Sequence, residues 1–349
     1  MTESLFVSCT PGLEAPLAVE LAALGLAARV VTGGCEVADA PQGSFVRVNV
    51  QSRLASRVAW RLGQLETPAA LARLPVSALL GPGPFQLGIS EEPGARCAVP
   101  AEVWRNAAVK AWGALGEGPE LSFRLSRAGC AVSVDTSGAL LYQRGARQET
   151  GKAPLRETLA SGVLKLCGWK PGEPLWDVTC GSGTIVIEAA EQSLGLQPGR
   201  ARPFAFQAFP SVTAQALDEA RLPGPAVKTW LHGSDLNAGA LGVARRNARR
   251  GGVFEAITLA RVDATTLVRP QTAPGLIVAN LPYGKRVGAK FDLHGLYQGV
   301  GAALRRGFSG WRFGFLLQEG EDALGLALDA RAPVKNGGLW CQVVTGRVP

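Results

Sequence analysis

Apolar positions in the first part of the chain change between strand-like and helix-like spacing. Residues 5–8 form a short strand-like run, residues 13–24 repeat apolar positions at helical spacing, and residues 29–31 return to a strand pattern. Gly25 follows the helical stretch, where a glycine commonly ends a helix. This order of elements predicts a small α+β unit at the N-terminus.

The following stretch predicts a second α+β unit. Residues 45–50 alternate as a strand does, and residues 52–65 have the spacing of an amphipathic helix whose polar face includes Arg53, Arg57 and Arg61. A solvent-exposed helix face explains this pattern. Further predicted elements are a strand over 85–90, a helix over 103–115, and strands over 121–127, 131–135 and 139–144.

From residue 155 onward, helical stretches alternate with strand-like runs. Helical connections between strands predict an α/β domain of Rossmann-like type, with a doubly wound, mostly parallel sheet. We place the domain boundary between residues 148 and 149, which divides the chain into domains 1–148 and 149–349. Residues 191–229 form an irregular, Pro-rich insertion. The strand-like runs are 175–178, 229–235, 257–259 and 275–280.

Composition restricts the chemistry. The net charge is +8, and residues 1–150 hold thirteen basic and thirteen acidic side chains, so the positive excess lies in the C-terminal part and is consistent with polyanion contact. Two His and seven Cys without Cys-x-x-Cys spacing predict no metal site and no disulfide framework. No apolar stretch approaches the ~20 residues that span a bilayer, and Glu3 stands where a secretion signal has basic residues, which predicts a cytoplasmic location.

Residues 177–184 combine an acidic strand end with a glycine-rich turn into a helix. Gly181 and Gly183 allow the backbone to approach a bound nucleotide, while Asp177 suits the ammonium group of an amino-acid cofactor such as S-adenosylmethionine. A tight structural turn explains the glycines alone equally well. Cys180 fits a small packing residue better than a nucleophile.

Two further acidic residues follow the next strands. Asp235 ends the second strand, where a carboxylate of a doubly wound fold binds both ribose hydroxyls, and the 191–229 insertion explains why its spacing exceeds the usual ~20 residues. Asp263 occupies the loop after the third strand. It is predicted to meet the adenine amino group, and an ordinary capping or solvated loop acid is the alternative.

Residues 280–284 follow the fourth strand and match the needs of an exocyclic base amine. The lone pair of such an amine is delocalised into the ring until both N–H groups are held. The side-chain carbonyl of Asn280 and a backbone carbonyl of Leu281 or Pro282 can accept these two hydrogen bonds, and Tyr283 can stack on the base. No strong base is required. These residues are the predicted catalytic set.

Two cations follow this loop closely. The loop itself does not determine which nucleic-acid base is the substrate. Lys285 and Arg286 are predicted to hold phosphates beside the target base. The same loop serves adenine N6 in DNA as well as an RNA base, so both substrates stay open here. Another hypothesis is a non-catalytic RNA-binding or assembly protein with a vestigial methyltransferase fold. The residues that argue against such decay are the intact Asp177, Asp235, Asn280 and Tyr283.

Motifs along essentially the whole chain resemble those of the THUMP-domain RNA guanine-N2-methyltransferases, which act on bacterial 23S rRNA and on tRNA. The loop has Leu281 where rRNA-directed members have Pro and is closer to tRNA-directed members, whereas the N-terminal half is closer to the rRNA enzymes, so the RNA stays open. The motifs that show the resemblance are 4–6 with 12–14, 52–57, 142–145, 153–160, 177–184, 280–284 and 335–337.

The resemblance implies a division of labour between the two predicted domains. Domain 149–349 would be a class I methyltransferase domain that uses S-adenosylmethionine to methylate guanine N2 in structured RNA. Domain 1–148 would be a ferredoxin-like segment plus a THUMP module, over about 45–147, that binds RNA, with Arg53, Arg57 and Arg61 as candidate contacts if their helix face is exposed. The implied cofactor contacts are Asp177, Gly181, Gly183 and Asp235, and the implied base contacts are Asn280, Pro282 and Tyr283.

Overall fold

The computed structural model describes residues 2–92, 94, 97–145, 155–283 and 292–349. The chain divides into two compact units, each with its own seven-stranded sheet. The predicted boundary at 148 and 149 lies outside the described residues. The first unit comprises Met1–Cys9, Leu17–Leu141 and Arg202–Arg221, and the second comprises Thr10–Pro16, Tyr142–Ala201 and Leu222–Pro349. Three short segments, residues 10–16, 142–148 and 202–221, therefore belong to the unit on the other side of that boundary.

The first unit is an α+β fold with strand order β2-β3-β1-β4-β7-β6-β5. Its first two strands and α1 agree with the pattern of the sequence, as do β5, β7 and α4, whereas residues 139–144 form turns instead of a strand. The strands are β1 (Thr2–Cys9), β2 (Arg29–Val31), β3 (Gly34–Pro41), β4 (Ala55–Leu65), β5 (Phe85–Glu91), β6 (Leu115–Ser126) and β7 (Gly129–Asp135). The helices are α1 (Glu14–Ala23), α2 (Ser44–Gln51), α3 (Val76–Leu80), α4 (Ala101–Trp112) and, from the second half of the chain, α7 (Ala214–Arg221).

Helix and strand over residues 44–65 are opposite to the sequence-based prediction, which was wrong here. The carboxylate of Glu3, forty residues before Gly43, accepts the N–H groups of Gly43 (2.6 Å) and Phe45 (3.3 Å) at the start of α2. A negative charge at this end favours a helix. Asn49, a polar position of the apparent alternation, is buried, and its amide donates to the Phe45 carbonyl (2.9 Å) and to Thr136 (2.7 Å).

The predicted amphipathic helix is the central strand β4, paired with β1 and β7. A spacing of four residues puts side chains on one face of a helix, and also on one face of a strand because four is a multiple of two. Arg57 and Arg61 therefore share a strand face. Their spacing alone could not distinguish the two structures.

The second unit is a doubly wound sheet with order β10-β9-β8-β11-β12-β14-β13, in which β14 is antiparallel to both neighbours. This confirms the predicted α/β fold class. The strands are β8 (Leu175–Asp177), β9 (Leu231–Asp235), β10 (Thr258–Arg261), β11 (Leu276–Asn280), β12 (Arg312–Leu317), β13 (Ala330–Asn336) and β14 (Leu339–Arg347). The helices are α5 (Glu157–Leu166), α6 (Thr184–Ser193), α8 (Ala238–Arg250) and α9 (Leu293–Gly307).

Strand β8 lies between β9 and β11, where the direction of winding reverses. Ligands of doubly wound folds bind beyond the carboxyl ends of the strands at such a switch point. The core below it is aromatic, with Trp176, Phe308, Trp311 and Phe313 all buried. No helix within the described residues is long and apolar enough to cross a bilayer.

Candidate active site

Three polar residues end the adjacent parallel strands at the switch point. Asp177 ends β8, Asp235 ends β9 and Asn280 ends β11. The register pairs Asp177 with Gly233 on one side and with Val278 on the other, so all three strand ends reach the same edge of the sheet. The structure thus brings together the residues that the sequence predicted at successive strand ends.

The glycine-rich turn after β8 leads directly into α6. Gly183 is the residue before the helix and has φ of +86°, a left-handed conformation that a side chain would strain. A Cβ atom there would also lie 3.1 Å from that of Ala244 on α8. Burial raises the pKa of the neighbouring Cys180 thiol well above its usual value, which agrees with a packing role. The turn needs glycine for close packing as well as for any nucleotide.

Asp177 is a buried carboxylate with one unsatisfied oxygen. The residue is 1% exposed, and its Oδ1 has no hydrogen-bond partner among the residues that the structure describes. Burial, and next the negative charge of Asp235, raise the pKa of Asp177 well above its usual value. A cation placed at Oδ1 would satisfy this oxygen and compensate the buried charge.

Asp235 and Asp263, the other two predicted acidic residues, each accept two hydrogen bonds from nearby groups of the chain. Asp235 accepts the N–H of Gly181 at Oδ2 (2.9 Å) and that of Asn237 at Oδ1 (2.8 Å), so it fixes the glycine-rich turn. Asp263 accepts both the N–H and the hydroxyl of Thr265, each at 2.8 Å. That bonding is typical of a loop-capping acid, and the adenine contact of Asp263 stays a prediction.

Hydrogen bonds from elsewhere in the unit hold the loop after β11. The Thr179 hydroxyl donates to the carbonyl of Asn280 (3.3 Å), and the hydroxyl of Tyr297, on α9, donates to the carbonyl of Pro282 (2.7 Å). Burial raises the pKa of Tyr297 to about 12, so this hydroxyl stays protonated. The side-chain Oδ1 of Asn280 is buried without a partner among the described residues.

The ring of Tyr283 is also held through its hydroxyl. The amide nitrogen of Asn336, at the end of β13, lies 2.5 Å from this hydroxyl and donates to it. The sequence analysis included Thr179 and Asn336 only as members of the motifs 177–184 and 335–337, with no role in holding the loop, and it missed Tyr297. Their contacts with the loop arise from the tertiary fold.

These groups line one cavity of about 500 Å³. Its wall includes five of the predicted site residues: Asp177, Gly181, Asn280, Pro282 and Tyr283. The wall does not include Asp235, Gly183 or Asp263. Asp235 bonds to a residue of the wall, Gly181, whose N–H it accepts. Lys285 and Arg286 lie outside the described residues. Within the described chain, no group of three or more His, Cys, Asp or Glu could hold a metal ion.

The arginines predicted to contact RNA lie in the first unit. Arg57 forms an ion pair with Asp135 (2.6 Å), and Arg61 forms one with Glu36 (2.8 Å). Arg53 precedes β4, and its backbone N–H donates to Glu20. Arg57 and Arg61 thus already have carboxylate partners. Contact of these arginines with RNA stays a prediction.

Comparison with curated proteins finds relatives among RNA methyltransferases. A candidate RNA methyltransferase of Synechocystis sp. is 39% identical over 233 residues, which cover 62% of this chain and 58% of the relative. Ribosomal RNA large subunit methyltransferase K/L of Vibrio campbellii is 38% identical over 230 residues, which cover 62% of this chain and 32% of the relative. The chain thus spans less than two thirds of the length of either protein.

A solved structure matches the whole chain, and two family models match different parts of it. The structure, described as a predicted N6-adenine-specific DNA methylase from Listeria monocytogenes, is 25% identical with a TM-score of 0.86, covering 100% of this chain and 97% of that one. Residues 4–59 match the RlmL ferredoxin-like domain, which confirms the ferredoxin-like segment and leaves the THUMP module a prediction. Residues 144–340, more than half of the chain, match the RMKL-like methyltransferase domain. The chain therefore belongs to the family of RMKL-like methyltransferase domains.

Proposed function

We propose that this chain transfers the methyl group of S-adenosylmethionine to the exocyclic N2 amine of a guanine in structured RNA. The observation that supports this most directly is that one cavity wall holds two buried oxygens without partners in the described chain, Oδ1 of Asp177 and Oδ1 of Asn280. One suits a cation and the other suits an N–H donor. A cofactor with an ammonium group and a substrate amine meet these two needs.

The cofactor side fits S-adenosylmethionine through residues of the β8–α6 turn and β9. Asp177 would receive the ammonium group, and Gly181 presents backbone where Asp235 fixes it. Ribose contact by Asp235 uses lone pairs that remain after its two backbone hydrogen bonds. When bound, the cofactor would supply a methyl group activated by its sulfonium, and the sulfur would keep the electron pair of the broken S–CH3 bond and leave as a neutral thioether.

The loop side fits an exocyclic amine. Asn280 Oδ1 accepts one N–H and the carbonyl of Pro282 accepts the other with its second lone pair, since Tyr297 occupies only one. Holding both N–H groups turns the nitrogen lone pair out of conjugation and toward the methyl group. Tyr283 stacks on the base. The proton becomes acidic once the N–C bond forms, and it leaves to water along these acceptors.

RNA is the proposed substrate because the curated relatives are named as RNA methyltransferases and because the C-terminal part has the positive excess. Selection of one guanine would then depend on the N-terminal domain, proposed as residues 1–148 with a THUMP module over about 45–147. Phosphate contacts by Lys285 and Arg286 would position the strand. The name of the Listeria structure favours adenine N6 in DNA as the second candidate.

The test incubates the full chain and methyl-labelled S-adenosylmethionine with total tRNA, protein-free 23S rRNA and duplex DNA. Mass spectrometry of nuclease digests identifies the product. We expect N2-methylguanosine in one RNA and none with Asn280→Ala. N6-methyladenine in the DNA sample would establish the second candidate instead. Failure to bind S-adenosylmethionine in calorimetry would leave the non-catalytic hypothesis standing.

A further inference from the structure

The hairpin that joins β13 to β14 is a tight two-residue turn beside the catalytic cavity. Asn336 pairs with Leu339 and Lys335 pairs with Trp340, which leaves Gly337 and Gly338 as the turn. Their φ angles are +56° and +94°, and two consecutive positive φ values define a turn that glycine adopts without strain. The tip is therefore short and has a fixed register.

The two faces of this hairpin differ in what they meet. Residues directly opposite each other in an antiparallel pair project to the same face, and successive residues project to opposite faces. Asn336 lines the cavity and bonds to Tyr283, so it and Leu339, 37% exposed, define the inner face. Lys335 and Trp340 define the outer face. Trp340 is 58% exposed and is the only exposed Phe, Tyr or Trp side chain in the part of the chain that the structure describes.

The backbone of the hairpin edge is not available for pairing with another strand at this point. The N–H of Lys335 donates to the carbonyl of Pro11 (3.0 Å), within the same unit. A peptide that adds a strand needs such an N–H. Binding at the tip is therefore left to the side chains, an indole plane and an ammonium group, which suit a base and a phosphate respectively.

We propose, on the basis of the proposed RNA function, that this hairpin is a wedge between the target guanine and the next nucleotide. The target base enters the cavity on the inner face, beside Asn336 and Tyr283. The neighbouring base stacks on Trp340 at the outer face, and Lys335 contacts the phosphate. A base whose amine must reach a cavity has to leave its stack, and an aromatic surface then replaces the stacking that its neighbour loses.

The experiment compares Trp340→Ala and Trp340→Phe in the full chain. The probe is an RNA stem-loop with one loop guanine flanked by 2-aminopurine, whose fluorescence falls when it stacks on an aromatic ring. We expect Trp340→Ala to weaken RNA binding about 10-fold, to raise KM for RNA similarly and to remove the quenching. Trp340→Phe should keep most of the RNA binding, most of the quenching and a KM for RNA close to that of the unmodified chain. Leu222→Ala, at a site that is 64% exposed in the same unit, is the matched control and should change nothing.

The outcomes separate the wedge from the proposed function. RNA affinity and quenching require no methyl transfer. If the unmodified chain binds RNA but gives no methylated product, and Trp340→Ala loses the affinity and the quenching, the wedge is supported and the proposed reaction is contradicted. Normal binding and methylation of RNA by Trp340→Ala overturn the wedge alone. No binding by the unmodified chain overturns both. An effect seen with ribosomal particles and absent with protein-free RNA would assign Trp340 to a protein partner, and the wedge would be wrong.

Discussion

Asp177 and the loop 280–283 form two parts of the same cavity wall, but the structure holds their polar groups differently. Asp177 is a buried acid with one oxygen that lacks a partner in the described chain, and its pKa is raised mainly by burial. In the loop, the backbone carbonyls of Asn280 and Pro282 and the hydroxyl of Tyr283 each accept a hydrogen bond from outside the loop, and it is the side-chain Oδ1 of Asn280 that lacks a partner in the described chain.

This difference suggests a division between affinity and rate. A buried carboxylate without a partner gains most when a cation binds, so Asp177 should act mainly on cofactor affinity. The backbone of the loop is already fixed by hydrogen bonds, so the groups that it carries need little reorganisation when charge develops on the amine, and the loop should act mainly on turnover. Substitutions in the two parts should therefore change different kinetic constants.

The largest effect is expected from Asn280→Ala. Its side-chain oxygen is proposed to hold an amine hydrogen as the nitrogen becomes nucleophilic, so kcat should fall by about 10²-fold or more while the Kd for S-adenosylmethionine changes little. Single-turnover methylation and calorimetry measure the two constants. A matching loss in cofactor binding would mean that the wall does not divide as argued.

Asp177→Asn should affect the opposite constant. Loss of the charge that receives the ammonium group should weaken S-adenosylmethionine binding by about 10- to 100-fold. Turnover at saturating cofactor should fall far less. Asp329→Asn, at an exposed acid of the same unit outside the cavity wall, is the matched control. Unchanged calorimetric affinity in Asp177→Asn would remove the ammonium contact from the proposal.

The same substitution should stabilise the protein without cofactor. Because the pKa of Asp177 is raised in the folded state, its contribution to stability is present at low pH and is lost as pH rises through that value. Asparagine carries no charge to bury, so at pH 8 Asp177→Asn should increase the free energy of unfolding by about 1–3 kcal/mol and raise Tm by a few degrees. The difference should disappear below pH ~4, the ordinary aspartate range. Thermal melts across this pH series give the result, and a lower Tm at pH 8 would contradict it.

A smaller effect is expected from Tyr297→Phe. The substitution removes one hydrogen bond to the Pro282 carbonyl, which should reduce kcat about 3- to 10-fold and leave cofactor Kd unchanged. Tyr142→Phe removes a hydroxyl elsewhere in the unit and serves as the control. Because Tyr297 positions the loop and touches no substrate, a rise in KM with unchanged kcat would argue against this role.

Features that depend on a local sequence pattern could be predicted, whereas features that depend on contacts between distant residues could not. Asp177, Asp235 and Asn280 could be predicted because each directly follows a buried strand, and parallel strands bring their carboxyl ends to one edge. Helix α2 and strand β4 could not, because Glu3 supports the helix from forty residues away. Thr179, Tyr297 and Asn336 have no local pattern either, since a hydroxyl or amide that bonds to a distant carbonyl resembles any other polar residue.

The smallest effect should distinguish what the ring of Tyr283 does from what its hydroxyl does. Stacking needs only the ring, so Tyr283→Ala should reduce kcat/KM for RNA well beyond Tyr283→Phe. The phenylalanine variant still loses the bond from Asn336, which fixes the ring plane, and this should lower kcat/KM about 2- to 5-fold.

Asn336→Ala removes the same bond from the other side, so it should resemble Tyr283→Phe, and the double variant should be no worse than either alone because a shared interaction is lost only once. Steady-state kinetics on the same RNA, with Tyr142→Phe as the control, measure this cycle. Additive losses would show that Asn336 and the Tyr283 hydroxyl act independently, and the loop would then be less rigidly held than the Asp177 side of the wall.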